Sequence, residues 1–269
     1  MVSNCAILQS QEINYYIVMS AKKKSAPKKK VKVNSQEHQA NLRGEVINPS
    51  EFSGSKATWR IFRIMAEFVD GYEFLSNVSA DITVFGSART KPTEKSYKEA
   101  VKLTKMMAKA GFSVITGGGP GIMEAANRGA FEGGGESIGL NIQLPFEQRI
   151  NKYVRHGLGF HFFFTRKVML TSPSQAFIGF PGGYGTIDEI FEVMTLIQTG
   201  KMEPVPVILV GEDYWGPLEV FIREVMLKKH KTISAKDMNI FTVVDTAEEA
   251  MEIIKKNVVA DSDQHHDHK

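Results

Sequence analysis

The sequence predicts an α/β protein in which a parallel sheet is covered on both faces by helices. Three observations carry this. Short runs rich in β-branched and aromatic residues alternate with amphipathic segments of helical period from Asp81 to Asn257, the pattern of successive β–α units. The strand runs are apolar throughout, as in Asp81–Gly86 (DITVFG) and Val205–Val210 (VPVILV), which suits strands buried on both sides. Three of these runs end in glycine-containing turns just where a helical pattern begins. Together they describe a three-layer α/β/α, Rossmann-like, doubly wound sheet.

The elements follow in order. Trp59, Ile61, Phe62, Ile64, Met65, Phe68, Val69 and Tyr72 recur at three and four, so Lys56 to about Leu75 reads as an amphipathic helix ahead of the first strand. Strands are expected at Asp81–Gly86, Phe112–Thr116, Ser137–Ile142, Ala176–Phe180, Val205–Val210 and Phe241–Val244, six in all. Helices are expected at Lys95–Ala110, closed by Gly111, and at Gly121–Glu132, Phe162–Thr171, Tyr184–Thr199, Trp215–Lys229 and Ala247–Asn257. No repeat of the solenoid type is present.

Composition bounds the function. The chain has 269 residues, 42% hydrophobic and 23% charged, which suits one large domain with tails. The division expected is a disordered basic tail over residues 1–50, a single Rossmann-like domain over 51–258 and a disordered tail over 259–269. The formal charge of +3 is unevenly placed: residues 1–50 carry eight Lys/Arg against three Asp/Glu, leaving −2 for the remainder. A mildly acidic body argues against nucleic acid as the main partner. The runs Lys22–Lys24 and Lys28–Lys30 read as a solvated tail or as a weak contact to RNA or an acidic surface. Met19-Ser20, just before them, reads as an alternative start of the chain. A single cysteine, Cys5, allows no disulfide or Cys-based zinc site within one chain and fits a reducing compartment. No run reaches the roughly 18 apolar residues of a membrane helix. Gln9, Gln11 and Glu12 break the N-terminal apolar patch, so no secretory signal is expected and the location expected is cytoplasmic.

In an open parallel sheet, ligands sit beyond the carboxyl ends of the strands. The three turns that fall there are Gly86-Ser87-Ala88, Gly117-Gly118-Gly119-Pro120-Gly121 and Pro181-Gly182-Gly183-Tyr184-Gly185-Thr186. Without Cβ atoms the backbone can approach a ligand closely, and free N–H groups at a helix start attract an anion. One such turn is ordinary βα geometry; three at one edge point to a phosphate. The chain has no G-x-x-x-x-G-K-[ST], and its first turn is not G-x-G-x-x-G, so neither a P-loop nor a dinucleotide fingerprint is present. A mononucleotide is the better guest.

Thr186-Ile187-Asp188-Glu189 reads either as a capping box or as a carboxylate placed at the mouth of a phosphate loop. Arg166 and Lys167, after the run Phe162-Phe163-Phe164, are either an exposed pair or cations reaching the same edge. His161 among phenylalanines suits packing better than catalysis, and His265, His266 and His268 belong to a polar tail.

These strings resemble a known family. Gly117–Ala126 (GGGPGIMEAA), Phe164–Met169 (FTRKVM) and Pro181–Glu189 (PGGYGTIDE) are similar to the LONELY GUY family, cytokinin riboside 5′-monophosphate phosphoribohydrolases often mislabelled lysine decarboxylases. The resemblance spans about residues 78–257. It implies Arg166 and Glu189 as the catalytic pair. It implies substrate contacts from Gly86, Ser87, Gly118, Gly119, Lys167, Met169, Gly182, Gly183, Gly185 and Thr186. Many members carry Glu where this chain has Asp188. The extra N-terminal helix and Leu196–Lys201 resemble the longer bacterial-type members, which leaves cytokinin activation and general nucleotide salvage both open.

The implied reaction is hydrolysis of a purine-type nucleoside 5′-monophosphate to free base and ribose 5-phosphate, with no metal and no cofactor. The alternative from another class is a nucleotide-binding regulatory protein without turnover. A decarboxylase using pyridoxal phosphate needs a Schiff-base lysine and a partner for the ring nitrogen, and neither is legible. The aromatic surface of Trp59–Tyr72 and Phe160–Met169, together with the resemblance, implies a homodimer or larger assembly, with a site that could draw residues from two chains.

Overall fold

A computed structural model describes residues 55–76, 81–143 and 150–258. The two tails expected at either end, with Cys5, the lysine runs and His265, His266 and His268, lie outside the described residues. Helix α1 (Ser55–Leu75) precedes strand β1 (Asp81–Phe85). There follow α2 (Lys95–Lys109), β2 (Ser113–Thr116), α3 (Ile122–Gly133), β3 (Ser137–Ile142), β4 (His156–Phe160), α4 (Phe163–Thr171) and β5 (Ala176–Gly179). The chain continues through α5 (Tyr184–Gln198), β6 (Val207–Val210), α6 (Glu212–Phe221), β7 (Phe241–Val244) and α7 (Ala247–Asn257).

The seven strands lie in the order β4-β3-β2-β1-β5-β6-β7, every pairing parallel. Alternate residues feed two cores. Ile82, Val84, Ala176, Ile178, Ile208 and Val210 pack under α2, α3 and α7. Phe85, Phe177, Val207 and Leu209 pack with Met169, Ile190, Val193 and Trp215 on the opposite face. This is the doubly wound sheet the apolar strand runs required. From β4 at one edge the chain crosses back to place β5 beside β1. The strand order therefore reverses between β1 and β5, and a crevice opens there at the carboxyl ends.

Among the described residues the sheet has seven strands where six were expected. The strand not expected, His156-Gly157-Leu158-Gly159-Phe160, carries two glycines and pairs only with β3 at the sheet edge, so neither β-branched residues nor apolar continuity marks it. The helix after it runs Phe163–Thr171, against the Phe162–Thr171 expected. The helix expected from Trp215 starts at Glu212, whose two acidic residues in the first turn favour the helix dipole, and it passes into a π-helix over Ile222–Lys229. Gly111 closes α2 as expected. Its φ is +89°, and the N–H groups of Gly111 and Phe112 bond to the carbonyls of Ala108 and Met107, a Schellman arrangement.

Candidate active site

The three glycine turns meet at the reversal point. The Ser87 N–H donates to the Pro181 carbonyl at 3.0 Å, which ties the first turn to the third. The Ile122 N–H donates to the Ser87 carbonyl at 2.9 Å, which ties the second to the first. From the next βα unit, the Tyr214 hydroxyl donates to the Gly182 carbonyl at 2.6 Å, and Trp215 Nε1 donates to Gly179 at 3.0 Å. The turns enclose a cavity of about 940 Å³, large enough for a nucleotide.

Gly86, Ser87, Gly182, Gly183, Gly185, Thr186, Arg166 and Glu189 all line this cavity. Four residues named from sequence do not. Met169 is fully buried in the core beneath α1. Gly118 and Gly119 are buried within the second turn, their carbonyls taken by the Asn151 side chain at 3.1 and 3.0 Å. Lys167 is clamped by Asp188 at 2.8 Å and Glu192 at 3.0 Å, locking α4 to α5. Burial pulls the pKa of Lys167 down, but the two carboxylates outweigh it and the net shift is upward.

Helix α5 begins at Tyr184 with Gly183 at its N-cap. The capping-box reading of Thr186 and Glu189 is therefore incorrect: both lie inside the helix, Thr186 in its first turn and Glu189 in its second. The first intrahelical bond runs from the Ile187 N–H to the Gly183 carbonyl. The N–H groups of Tyr184, Gly185 and Thr186 precede that ladder and are left for an outside acceptor. Cβ atoms on Gly183 and Gly185 would meet nothing within 4 Å, whereas one on Gly182 would overlap the Thr186 side chain. The bare positions thus keep the space above the helix start open.

Glu189 projects from α5 to Arg166 on α4, with 3.3 Å between Glu189 Oε1 and Arg166 Nη2. The pair forms within one chain. Their side chains are 15% and 11% exposed, so both charges are largely desolvated. Burial pushes the Glu189 carboxyl up to about 7, with Arg166 and Lys167 opposing the rise and Asp188 and Glu192 adding to it. Burial also holds Arg166 below its ordinary value, Glu189 working the other way, though a guanidinium remains protonated. Gly117 leaves room beside Arg166: a Cβ there would stand 2.8 Å from Met123 Sδ and 3.2 Å from Arg166 Nη1. Its guanidinium carbon lies 5.6 Å from the Phe163 ring centroid. Arg166 Nε is buried without a hydrogen-bond partner, a donor left unspent.

The cavity also takes in residues that sequence reasoning passed over. Arg89 and Thr90 extend the first turn toward solvent, and Met123, Ile142 and Phe163 make an apolar wall. Tyr184, 95% exposed, stands at the mouth. Arg89 was legible as a cation three residues after Gly86; the wall residues come from three separate elements and carry no local pattern. Among the described residues, no group of three or more His, Cys, Asp or Glu is placed to hold a metal ion. Nor is any helix among them long and apolar enough to cross a membrane.

A helix start with its leading N–H groups unladdered, beside a desolvated carboxylate–guanidinium pair at the switch point of a parallel sheet, is the arrangement that defines an α/β protein with a ligand crevice at its strand ends. Comparison with known proteins narrows the class. Residues 123–254 match the family model described as "Possible lysine decarboxylase". The chain is 32% identical over 162 residues to a "Probable cytokinin riboside 5′-monophosphate phosphoribohydrolase" of Oryza sativa subsp. japonica, covering 59% of this chain and 75% of that protein. It is 31% identical over 183 residues to a cytokinin riboside 5′-monophosphate phosphoribohydrolase of Arabidopsis thaliana, covering 65% and 80%. The chain belongs to this LONELY GUY family. The molybdenum cofactor carrier protein of Chlamydomonas reinhardtii shares the fold, with a TM-score of 0.51 at 22% identity over 66% of this chain and 98% of that one.

Proposed function

We propose that the chain hydrolyses the N-glycosidic bond of a purine-type nucleoside 5′-monophosphate, releasing free base and ribose 5-phosphate. The observation that carries this reading is the buried Arg166–Glu189 pair facing the same cavity as the open N-terminus of α5. The 5′-phosphate rests on the N–H groups of Tyr184, Gly185 and Thr186. Anchored there, the ribose is brought to Glu189. The base lies against Met123, Ile142 and Phe163.

Cleavage at C1′ builds positive charge on the ribose, as in glycoside hydrolysis. Ionised Glu189 stabilises that charge and orients the attacking water. A carboxyl titrating near 7 is matched to accepting the proton of that water at neutral pH. Arg166 holds the Glu189 carboxylate in place. The bond broken is C1′–N, the bond formed is C1′–O from water, and the base leaves with the proton it needs from solvent.

The N–H groups at the helix start ask for a phosphate, and family relatives act on nucleoside 5′-monophosphates by name. AMP and isopentenyl-AMP should therefore release base while the corresponding nucleosides release little. Chromatography of free base decides this, and adenosine cleaved as fast as AMP would remove the phosphate from the reading. The homodimer belongs to the same proposal. Trp59, Phe62, Met65, Val69 and Tyr72 leave one face of α1 apolar and exposed, a face suited to a second copy. Light scattering that finds one active species near 30.0 kDa would exclude it.

A further inference from the structure

Helix α4, which carries Arg166, begins without a cap of its own. Its N-cap residue is Phe162, whose side chain offers no oxygen. The missing acceptors come from a different element. Glu67 on α1 accepts from the His161 N–H at 2.7 Å and from the Phe162 N–H at 3.3 Å. It also accepts from the Thr165 hydroxyl at 2.5 Å. A carboxylate at this position suits both the unbonded amides and the helix dipole.

The same face of α1 holds α4 at two further points. Arg60 places its guanidinium carbon 5.1 Å from the Phe162 ring centroid. Gly71 lies so close over Met169 that a Cβ there would stand 2.6 Å from its sulfur. Residues 60, 67 and 71 follow helical spacing, so one stripe of α1 makes all three contacts. Arg166 directly follows Thr165 and precedes Met169 by three residues, between the points that α1 grips.

We infer that Glu67 is a positioning residue for Arg166, and that α1 is through it part of the apparatus that sets the Arg166–Glu189 contact. The effect on turnover rests on the hydrolase reading; the effect on the contact does not. Without Glu67 the start of α4 loses its acceptors, and the arginine beside it is free to withdraw from the carboxylate. A displacement of about an ångström at a reacting group is enough to cost much of the rate.

The test uses Glu67→Ala and Glu67→Gln in the full chain, with AMP as substrate. In the alanine variant kcat should fall about tenfold with KM within about twofold, because the phosphate loop is on α5, away from Glu67. Glutamine keeps one carbonyl acceptor and should recover part of the loss. The second readout needs no turnover: carboxyl carbon NMR of Glu189 in the unliganded protein, its resonance assigned by its loss in Glu189→Gln. The charged groups facing Glu189 are Arg166 and Lys167 from α4 and Asp188 and Glu192 on its own helix. Retreat of Arg166 should raise the Glu189 midpoint in Glu67→Ala above that of the parent protein, and less so in Glu67→Gln. Variants that keep both kcat and the Glu189 midpoint, or lose only thermal stability, would overturn the inference. If the parent protein releases no base from any nucleotide, the hydrolase reading fails and the titration alone decides the role of Glu67.

Discussion

Two glycine loops are each tied to the Gly86–Ala88 turn at the site, and their glycines are there for different reasons. In Gly117–Gly121 the missing side chains make room for the protein itself. A Cβ on Gly117 would crowd Met123 and Arg166, and one on Gly118 would press on Gly139. One on Gly121 would overlap the Ser87 carbonyl, at a φ of +69°. In the Pro181–Thr186 loop, Gly182 is likewise needed by Thr186, but Gly183 and Gly185 face open space at ordinary backbone angles. One loop spends its glycines on packing; the other spends two of them on an empty volume. Glycine density alone does not identify a ligand loop. A bare position with nothing of the protein's own to fill it does.

The largest effect should fall on the packed loop. Gly121→Ala forces a side chain into a left-handed conformation and against a backbone oxygen, so unfolding free energy should drop by about 3 kcal/mol or more. A denaturant midpoint close to the parent protein's would break the contrast at its stability end.

The next effect separates function from stability on the ligand side. Below about 4.5 the Glu189 carboxyl is neutral whether folded or unfolded. As pH rises from there to about 7 the unfolded chain ionises while the folded one holds its proton, so stability falls through that window and levels off above it. Between pH 5 and pH 8 Glu189→Gln should therefore gain about 2–3 kcal/mol of unfolding free energy relative to the parent protein. Parallel stability curves for the two would show that Glu189 carries no buried charge.

The smallest effect is the sharpest. Gly185 lies in the first turn of α5 and is exposed, so Gly185→Ala should leave stability unchanged or raise it by up to about 1 kcal/mol. The same methyl would enter the space proposed for the phosphate, and AMP affinity should fall about tenfold or more, roughly 1.4 kcal/mol. Calorimetry and thermal unfolding on one sample check both signs. Retained affinity would mean that the open volume is not the phosphate site.

Much of this was legible in the sequence, for identifiable reasons. Apolar strand runs and glycine-closed helices are local patterns, and they placed six strands and the switch-point turns. Arg166 and Glu189 were found by their family strings, 23 residues apart, and meet in space. The edge strand His156–Phe160 escaped because a two-glycine run can form a ladder without strand-like composition. The capping reading of Thr186–Glu189 failed because the helix starts earlier, at a glycine N-cap that offers no side-chain oxygen. Lys167 and Met169 share a string with Arg166, but on a helix successive residues face different ways. One therefore clamps α5 and the other fills the core. Glu67 had no sequence pattern to betray it, since its partners lie 94 to 98 positions away.

The most direct measurement is a side-by-side assay of the parent protein and Glu189→Gln on AMP, reading free adenine by chromatography and AMP binding by calorimetry. The parent protein should release adenine and ribose 5-phosphate. The glutamine variant should be slower by about a hundredfold or more, with AMP affinity within about tenfold. A folded glutamine variant that releases adenine at the parent rate would contradict the catalytic role of Glu189.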